Sequence, residues 1–311
     1  MKRLSIFIVG IMVAVVAMSR TFDMKQLGAD AKGINSCTEL INRTIEKAAL
    51  EGGGTIYFPA GTYLTATIHM KSNITLYLES GAVLRFSDKF EDYLPFVTLR
   101  WEGTVMKSLS PLIYAHSADN VTISGRGTLD GNGLKWWLWE FDTRKVIKEN
   151  GGKLPALDKL QQMWVDANKD LEISDYYKPS LERRMFRPPF IQFYECTNIL
   201  IENVKIINSP FWTINPAFCD NVTIHGVTIN NPSSDPKGPN TDGINPSSCR
   251  NVRISDCLIS VGDDCITIKS GRDADGRKYG KACENITITN CIMLSGHGGV
   301  VIGSEMSGGV K

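Results

Sequence analysis

The segment CDNVTIHGVTIN, residues 219–230, indicates how this chain folds, because close copies of it recur. The copies CRNVRISDCLIS and CENITITNCIML begin at Cys249 and Cys283, and an earlier copy begins at Cys196. Asn73 and Asn120 open two further copies that lack the cysteine. The asparagines of the last four copies lie 23, 30 and 34 residues apart, which indicates a constant unit joined by connections of varying length.

Repeats of this kind predict an all-β chain that folds as a right-handed parallel β-helix. In such a solenoid the short strands of successive coils stack, so that equivalent residues form ladders about 4.8 Å apart. The repeated asparagine suits a turn, because it tolerates left-handed backbone and can hydrogen-bond to its copy on the next coil.

The eight cysteines follow the repeat and do not form the pattern of a disulfide framework. A cysteine two residues before the asparagine predicts a ladder of small buried side chains. Cys257 and Cys291 hold a second matched position, each six residues after its asparagine. We expect mostly free, buried thiols, and the stacking leaves room for one or two disulfides between neighbouring coils.

The N-terminal part of the chain has a different pattern. Residues 35–50 are predicted to form an amphipathic helix with Leu40, Ile41 and Ile45 in its apolar stripe. Glycines 52–54 end this helix, and residues 55–63 predict the first strand and turn. A helix at this place would cap the open end of the stack.

The first 19 residues predict a secretory signal peptide, because a basic start precedes an apolar run over residues 4–18. Cleavage is expected after Ser19. A transmembrane anchor is disfavoured, since about 20 apolar residues are needed to span a bilayer. We therefore expect a secreted or periplasmic protein whose mature part, residues 20–311, is one parallel β-helix domain.

Composition narrows the classes of partner. The formal net charge is +1, so no basic footprint indicates nucleic acid, although a local cationic patch could still bind an acidic substrate. With 42% hydrophobic residues in 311, the chain can bury a sizeable core. We expect a monomer that has no nucleic-acid partner and, once the signal peptide is removed, no membrane partner.

Residues 132–188 interrupt the repeat. Trp136, Trp137 and Trp139 precede a charged stretch with helical patches. Two interpretations of this insertion stay open, a wall of the binding cleft and a disordered surface loop; the tryptophans and the pair at 176–177, Tyr-Tyr, weaken the second. A smaller charged insertion spans residues 272–281.

The repeat aligns distant residues without any outside comparison. When the coils are registered on Cys219 and Cys249, residues 215–216 (Asn-Pro) lie over residues 245–246 (Asn-Pro). Two neighbouring columns follow, the first made of Trp212, Asp242, Asp264 and Gly298, and the second of Phe211, Thr241, Asp263 and His297.

Three carboxylates and one imidazole thereby meet on one face of the predicted solenoid. Crowded acids push their pKa values apart, so that one stays protonated while others are ionised. Glycoside hydrolysis needs both states, an acid for the leaving oxygen and a base for water. Solvated acids and a calcium site are competing interpretations, but the alternating oxygen ligands of a calcium loop are absent from the sequence. We expect no metal and no cofactor.

Three motifs at these residues resemble those of the polygalacturonases, the pectin hydrolases of glycoside hydrolase family 28. They are Asn-Thr-Asp at 240–242, Gly-Asp-Asp at 262–264 and Gly-His-Gly at 296–298, in that order, and the similarity runs from about Phe22 to the end of the chain. The resemblance implies a pectin-lyase-like β-helix and inverting hydrolysis of α-1,4-galacturonosyl bonds in pectin or polygalacturonate. The insertions and the segment GSEMSGG resemble the bacterial, exo-acting members.

The resemblance also implies a role for each matching residue. Asp263 would be the general acid that protonates the glycosidic oxygen. Asp242 and Asp264 would hold and deprotonate the attacking water. His297 would lie beside the acid and tune its protonation.

Substrate binding departs from the family's pattern. The family's Arg-x-Lys motif, which follows the Gly-His-Gly coil and binds the substrate carboxylate, does not occur before the chain ends at Lys311. We therefore expect a fragment of a longer protein with incomplete anion binding. Asn240, Lys269 and Trp212 are the predicted substrate-binding residues, and the charged loop at Arg272 is expected to add to them.

Three other functions stay open at this point, because a fold alone does not separate them. The first is a hydrolase directed at rhamnogalacturonan. The second is a pectate lyase on the same scaffold, which would need calcium and an arginine base. The third is a non-catalytic β-helix that binds carbohydrate.

Overall fold

The alternating residues of the repeats form short parallel strands in the computed structural model, which describes residues 20–152, 158–169, 187–232 and 235–311. Except for one hairpin, consecutive strands along the chain belong to different sheets, so each coil contributes a strand to more than one face of a solenoid. The predicted parallel β-helix is confirmed.

Two eight-stranded parallel sheets run along the described solenoid. The first contains, in spatial order, β1 (Arg20–Asp23), β3 (Gly54–Phe58), β6 (Ile74–Leu78), β11 (Asp119–Gly125), β14 (Thr197–Glu202), β16 (Asp220–His225), β18 (Arg250–Ser255) and β21 (Glu284–Thr289). The second contains β2 (Lys32–Ser36), β4 (Gly61–Thr65), β7 (Ala82–Phe86), β12 (Thr128–Asp130), β15 (Lys205–Ile207), β17 (Thr228–Asn230), β19 (Leu258–Ser260) and β22 (Ile292–Ser295).

A third parallel face completes the coils. Its strands are β5 (Ile68–His69), β10 (Ile113–His116), β13 (Ile191–Tyr194), β20 (Ile266–Ile268) and β23 (Val300–Ile302). Single bridges at Ile214 and Ile244 carry the pairing from β13 to β20. Outside these faces lie the antiparallel hairpin β8 (Val97–Trp101) and β9 (Thr104–Ser108) and a 3₁₀ helix, Phe90–Tyr93.

The interior of the solenoid is filled by ladders of aliphatic side chains. In the first sheet Ile224, Ile254 and Ile288 pair in register, and the first two are fully buried. Branched side chains at every second position fit a pleated surface, and burying each one contributes about 1.5–3 kcal/mol. The hydrophobic ladders therefore hold the coils in register.

Replacing Ile254 by alanine tests this packing. We expect the free energy of unfolding to fall by about 2–5 kcal/mol, because the side chain is enclosed on all sides and the cavity cannot collapse fully. The measurement is urea-induced unfolding followed by circular dichroism. Ile292→Ala is the matched control; with 58% of its surface exposed, Ile292 should contribute only about 0.5 kcal/mol. Equal losses in the two variants would contradict a close-packed ladder.

The asparagine ladder is confirmed with one change. Asn198, Asn221, Asn251 and Asn285 have φ angles of 54°, 56°, 57° and 58°, the left-handed region predicted for them. Asn221 donates to Asn198 Oδ1 at 2.6 Å and Asn285 donates to Asn251 Oδ1 at 3.2 Å. Asn251 instead donates to the carboxylate of Asp220, at 2.8 Å.

All eight cysteines are free thiols, and seven of them are buried. The ladder thiols donate to backbone carbonyls, as Cys219 does to Phe193 O at 3.1 Å and Cys249 to Pro216 O at 3.2 Å. Burial raises the pKa of the Cys257 thiol to about 12, so this thiol is unreactive. The prediction of free thiols as small buried side chains is confirmed.

The N-terminal helix begins later than predicted. Helix α1 spans Thr38–Leu50, because residues of the predicted first turn are drawn into β2, which pairs with β4. The buried residues Ile41 and Ile45 pack α1 against the first coils. The predicted first strand and turn at 55–63 correspond to β3 and β4. They are not the start of the solenoid, because β1 and β2 precede them.

The described part of the insertion contains two helices, α2 (Leu134–Glu149) and α3 (Lys159–Ala167), as the helical patches predicted. Trp136 is buried in the main core. Trp164 of α3 packs with the β8–β9 hairpin and with Trp212. These contacts anchor the described part of the insertion, and Tyr176 and Tyr177 lie outside the described residues.

The smaller insertion forms a helix, α4 (Asp273–Tyr279). Within the described ranges no helix is long and apolar enough to cross a bilayer; the predicted signal peptide, residues 1–19, lies outside them. Strands β21, β22 and β23 form the last coil, on which Ile292, Leu294 and Val300 are exposed.

Candidate active site

The third face contains the columns of residues that were predicted by aligning the coils. Ile214, Ile244, Ile266 and Val300 pair in succession. Two residues before each of them lie Trp212, Asp242, Asp264 and Gly298. Backbone hydrogen bonds at this level, Thr213 N to Asp242 O at 2.8 Å and Cys265 N to Gly298 O at 2.8 Å, confirm the register.

The acids line one open cleft with a volume of about 430 Å³. Six of the seven predicted site residues border it, namely Asp242, Asp263, Asp264, Asn240, Lys269 and Trp212. The seventh, His297, borders an adjoining cavity of about 230 Å³ together with Asp263 and Asn240. Stacking of the coils therefore brings all seven residues to one region of the surface.

The adjacent residues Asp263 and Asp264 both reach the cleft because they lie in an irregular bend just before β20. Gly262 permits this bend: a Cβ atom there would lie 2.1 Å from the carbonyl oxygen of Gly238 on the preceding coil. Gly296 likewise passes close to the backbone of Asp263, where a Cβ would lie 2.7 Å from the carbonyl oxygen. The glycines thus let neighbouring coils approach closely at the acids.

Asp242 is the most deeply placed acid, with 3% of its surface exposed. Burial raises the pKa of Asp242 to about 8; the charge of Lys269 opposes the shift and that of Asp263 adds to it. Its Oδ2 accepts a hydrogen bond from Asn245 Nδ2 at 3.0 Å, while its Oδ1 has no partner among the described residues. Asp242 is therefore a carboxyl group that resists ionisation and has one oxygen uncommitted.

Asp264 lies in a similar environment but is less buried than Asp242. Burial raises the pKa of Asp264, and the neighbouring charge of Asp263 raises it further, while Lys269 opposes both effects. Because both pKa values are raised, Asp242 and Asp264 retain a proton to higher pH than ordinary aspartates do. A cluster of this kind can supply both a proton donor and a proton acceptor.

His297 joins the cluster through Asp263. Its Nδ1 lies 3.1 Å from Asp263 Oδ1, and its Nε2 lies 2.7 Å from the ammonium of Lys237. Because an ammonium group only donates, Nε2 must accept, and the ring proton is then on Nδ1 and is donated to Asp263. Sequence reasoning missed Lys237, which lies in a loop without any repeat signal.

Lys269 is buried below the cleft. It pairs with Glu305 at 2.6 Å and lies 4.7 Å from the centre of the Trp212 ring. Arg272 also pairs with Glu305. Although burial favours the neutral acid, the charges of Lys269 and Arg272 lower the pKa of Glu305. Glu305, a second residue that sequence reasoning missed, holds both cations at the cleft edge.

Asn240 is fixed by the insertion. Its Oδ1 accepts from Arg187 Nη2 at 2.8 Å and from Arg144 Nη2 at 3.3 Å. Arg144 is on α2, and its Nε donates to the buried Glu140 at 2.6 Å. The sequence contained no signal for these contacts, although Arg144 lies within the stretch predicted to hold helical patches.

Asp263, Asp264 and His297 offer three ligand atoms that lie within 4.8 Å of one another. Two carboxylate oxygens and an imidazole nitrogen at this spacing could hold a divalent cation. Asp242 is not part of this set, so the four predicted catalytic residues do not form one ligand cluster.

Comparison with known proteins supports the resemblance found in the motifs. Residues 177–311 match the model of glycosyl hydrolases family 28, and residues 21–94 match a model described as rhamnogalacturonase A/epimerase, pectate lyase-like. A probable polygalacturonase of Vitis vinifera is 33% identical over 273 residues, which are 86% of this chain and 47% of that protein. An exo-poly-alpha-D-galacturonosidase of Dickeya chrysanthemi is 25% identical over 308 residues, 94% of this chain and 49% of that protein.

The structural likeness is closer still. The crystal structure of a hyperthermoactive exopolygalacturonase from Thermotoga maritima superimposes with a TM-score of 0.79 at 40% identity, over 94% of this chain and 64% of that one. The chain spans about half the length of the two curated relatives. The resemblance to polygalacturonases, exo-acting bacterial ones included, and the right-handed parallel β-helix fold are thereby confirmed.

Proposed function

We propose, from the likeness of residues 177–311 to glycosyl hydrolases of family 28, that this chain is an O-glycosyl hydrolase acting on pectin or polygalacturonate. The bond cleaved is the α-1,4-galacturonosyl linkage, with inversion. One observation carries the proposal: Asp242, Asp263 and Asp264 line a single open cleft.

Asp263 is proposed as the general acid. Its Oδ1 accepts from Asp264 N at 3.0 Å and faces His297 Nδ1 at 3.1 Å. Since Oδ1 is held by these two donors, Oδ2 is the oxygen that would carry the proton. From there the proton passes to the glycosidic oxygen as the bond to the anomeric carbon breaks.

Asp242 and Asp264 are proposed to hold and deprotonate the attacking water. They lie one coil apart in the same column, and Asp242 has one oxygen without a partner among the described residues. Raised pKa values make their ionised forms stronger proton acceptors. An inverting enzyme attacks from the face opposite the leaving group, so the base acts on the side of the sugar away from Asp263.

Asn240, Trp212 and Lys269 are proposed to bind the substrate. Asn240 borders both cavities, and the cation of Lys269 lies close to the ring of Trp212. The names of the Dickeya and Thermotoga relatives support exo action. We further propose export through residues 1–19, and action as a monomer without nucleic-acid or membrane partners.

Assay on polygalacturonate separates this function from a lyase. We expect new reducing ends, no unsaturated product and an unchanged rate in EDTA, because the acid–base mechanism uses water and needs Asp263 free to carry a proton. Reducing-end release and ultraviolet absorbance measure the two products. Calcium-dependent formation of unsaturated product would show a lyase, and faster cleavage of rhamnogalacturonan would redirect the substrate. No cleavage of either would favour a non-catalytic carbohydrate-binding protein.

A further inference from the structure

The smaller cavity beside the acids has its own chemistry. Its volume is about 230 Å³, and Arg144, Asn240 and Asp263 border both this cavity and the larger cleft. The two cavities therefore meet at the proposed general acid. A chain bound across Asp263 would extend from one cavity into the other.

Two cations face this cavity, Arg144 from α2 and Lys237 from the loop before Asn240. Asp263 is the acid that borders it among the described residues. Arg144 shares the buried Glu140 with Arg187, much as Lys269 and Arg272 share Glu305 in the larger cleft, and Lys237 adds a further cation to the small cavity. The small cavity thus has an excess of positive charge.

Arg144 is oriented for an anion. Glu140 accepts from its Nε at 2.6 Å and Asn240 accepts from its Nη2 at 3.3 Å, while 46% of the side chain remains exposed. Glu140 is itself buried and also lies 3.8 Å from the guanidinium of Arg187. A guanidinium fixed at one edge and open at the other suits paired hydrogen bonds to a carboxylate.

The wall of the cavity includes an apolar part. Phe141 of α2 is 38% exposed, and Pro239 borders the same space. An exposed aromatic face beside a rigid proline suits the apolar face of a sugar ring. Cations and an apolar face together fit a sugar that carries a carboxylate.

We infer that this cavity is a subsite for one uronate residue, whose carboxylate is bound by Arg144 and Lys237. The inference rests on the proposed function and adds the residues that recognise the charge of the substrate. The insertion would then determine specificity for the free acid over its methyl ester.

Calorimetric titration tests the subsite. The parent is Asp242→Asn, which prevents turnover at a residue outside the small cavity. We expect Arg144→Gln in this parent to weaken binding of trigalacturonate about tenfold to a hundredfold, since a hydrogen bond to a charged group is lost. Binding of the fully methyl-esterified trimer should change little. Lys148→Gln, on the same helix but away from the cavity, is the matched control and should bind as the parent does.

Two further variants distinguish loss of the subsite from loss of the folded structure. Arg144→Lys keeps a cation beside Glu140 and should recover part of the affinity, and Lys237→Gln should weaken binding without touching Glu140. If the Arg144→Gln variant binds trigalacturonate as tightly as the parent and the Lys148→Gln control do, the subsite is overturned. If wild-type protein still hydrolyses polygalacturonate, the proposed function survives that result. If the parent binds the acid no more tightly than the ester, and the wild-type protein does not hydrolyse polygalacturonate, both the subsite and the proposed function are overturned.

Discussion

Replacement of Asp263 by asparagine is expected to lower kcat on polygalacturonate by about 10²–10⁴-fold, the usual contribution of a general acid. Asparagine keeps the shape of the side chain, so its Oδ1 can still accept from Asp264 N and His297 Nδ1. Its amide N–H groups are too weakly acidic to protonate the leaving oxygen. The loss should therefore appear in kcat, with KM nearly unchanged.

The measurement is reducing-end release, with thermal unfolding as a check on the fold. Asp256→Asn is the matched control. Asp256 is an exposed carboxylate at φ 58°, a backbone angle that asparagine also tolerates, and its partner is His225, remote from the cleft. We expect the control to keep full activity. Full activity in Asp263→Asn would instead favour a non-catalytic β-helix.

Replacement of Asp242 by asparagine is expected to lower the rate of hydrolysis strongly and at the same time to stabilise the protein at alkaline pH. Activity should fall by about 10²–10⁴-fold because a proposed proton acceptor is lost. Stability should rise because the buried charge is removed. Such opposite effects are typical of acids kept in place for function.

The pH dependence follows from the raised pKa. Asp242 has a pKa of about 8 in the folded chain, against 3.8 for an ordinary aspartate. Below the lower value both folded and unfolded chains hold the proton. As the pH rises from the lower value to the higher one, the unfolded chain releases a proton that the folded chain retains, so the folded state loses stability.

Asparagine imitates the protonated form at every pH. The melting temperature of Asp242→Asn should therefore match the wild type near pH 4 and exceed it near pH 9 by on the order of 5 °C. Calorimetric melts at a series of pH values measure this difference. A difference that stayed constant with pH would mean that Lys269 holds Asp242 ionised in the folded protein.

The repeat determined most of the fold, because the stacking of coils depends on local patterns. Alternating apolar residues, a left-handed asparagine and a cysteine before it specify each turn, and each coil pairs only with its neighbours. The register of the coils follows from that pairing. This is why the spacing of the repeat alone places residues as distant as Asp242 and Gly298 in one column.

Tertiary structure decided what lies outside the repeat. The pairing of β2 with β4 moved the start of α1 from residue 35 to Thr38. Contacts of Lys237 with His297 and of Arg144 with Asn240 join loops and insertions to coils. No periodic pattern governs such contacts, because the length and packing of each connection set where its side chains end.

The β-helix and the column of acids can therefore be predicted from the sequence, since both depend on the spacing of the repeat. The folded chain is needed to show which acid is buried, which cations face the cleft and which partner each one has. Burial and charge in the folded chain set the pKa of Asp242, and both come from residues far away along the chain.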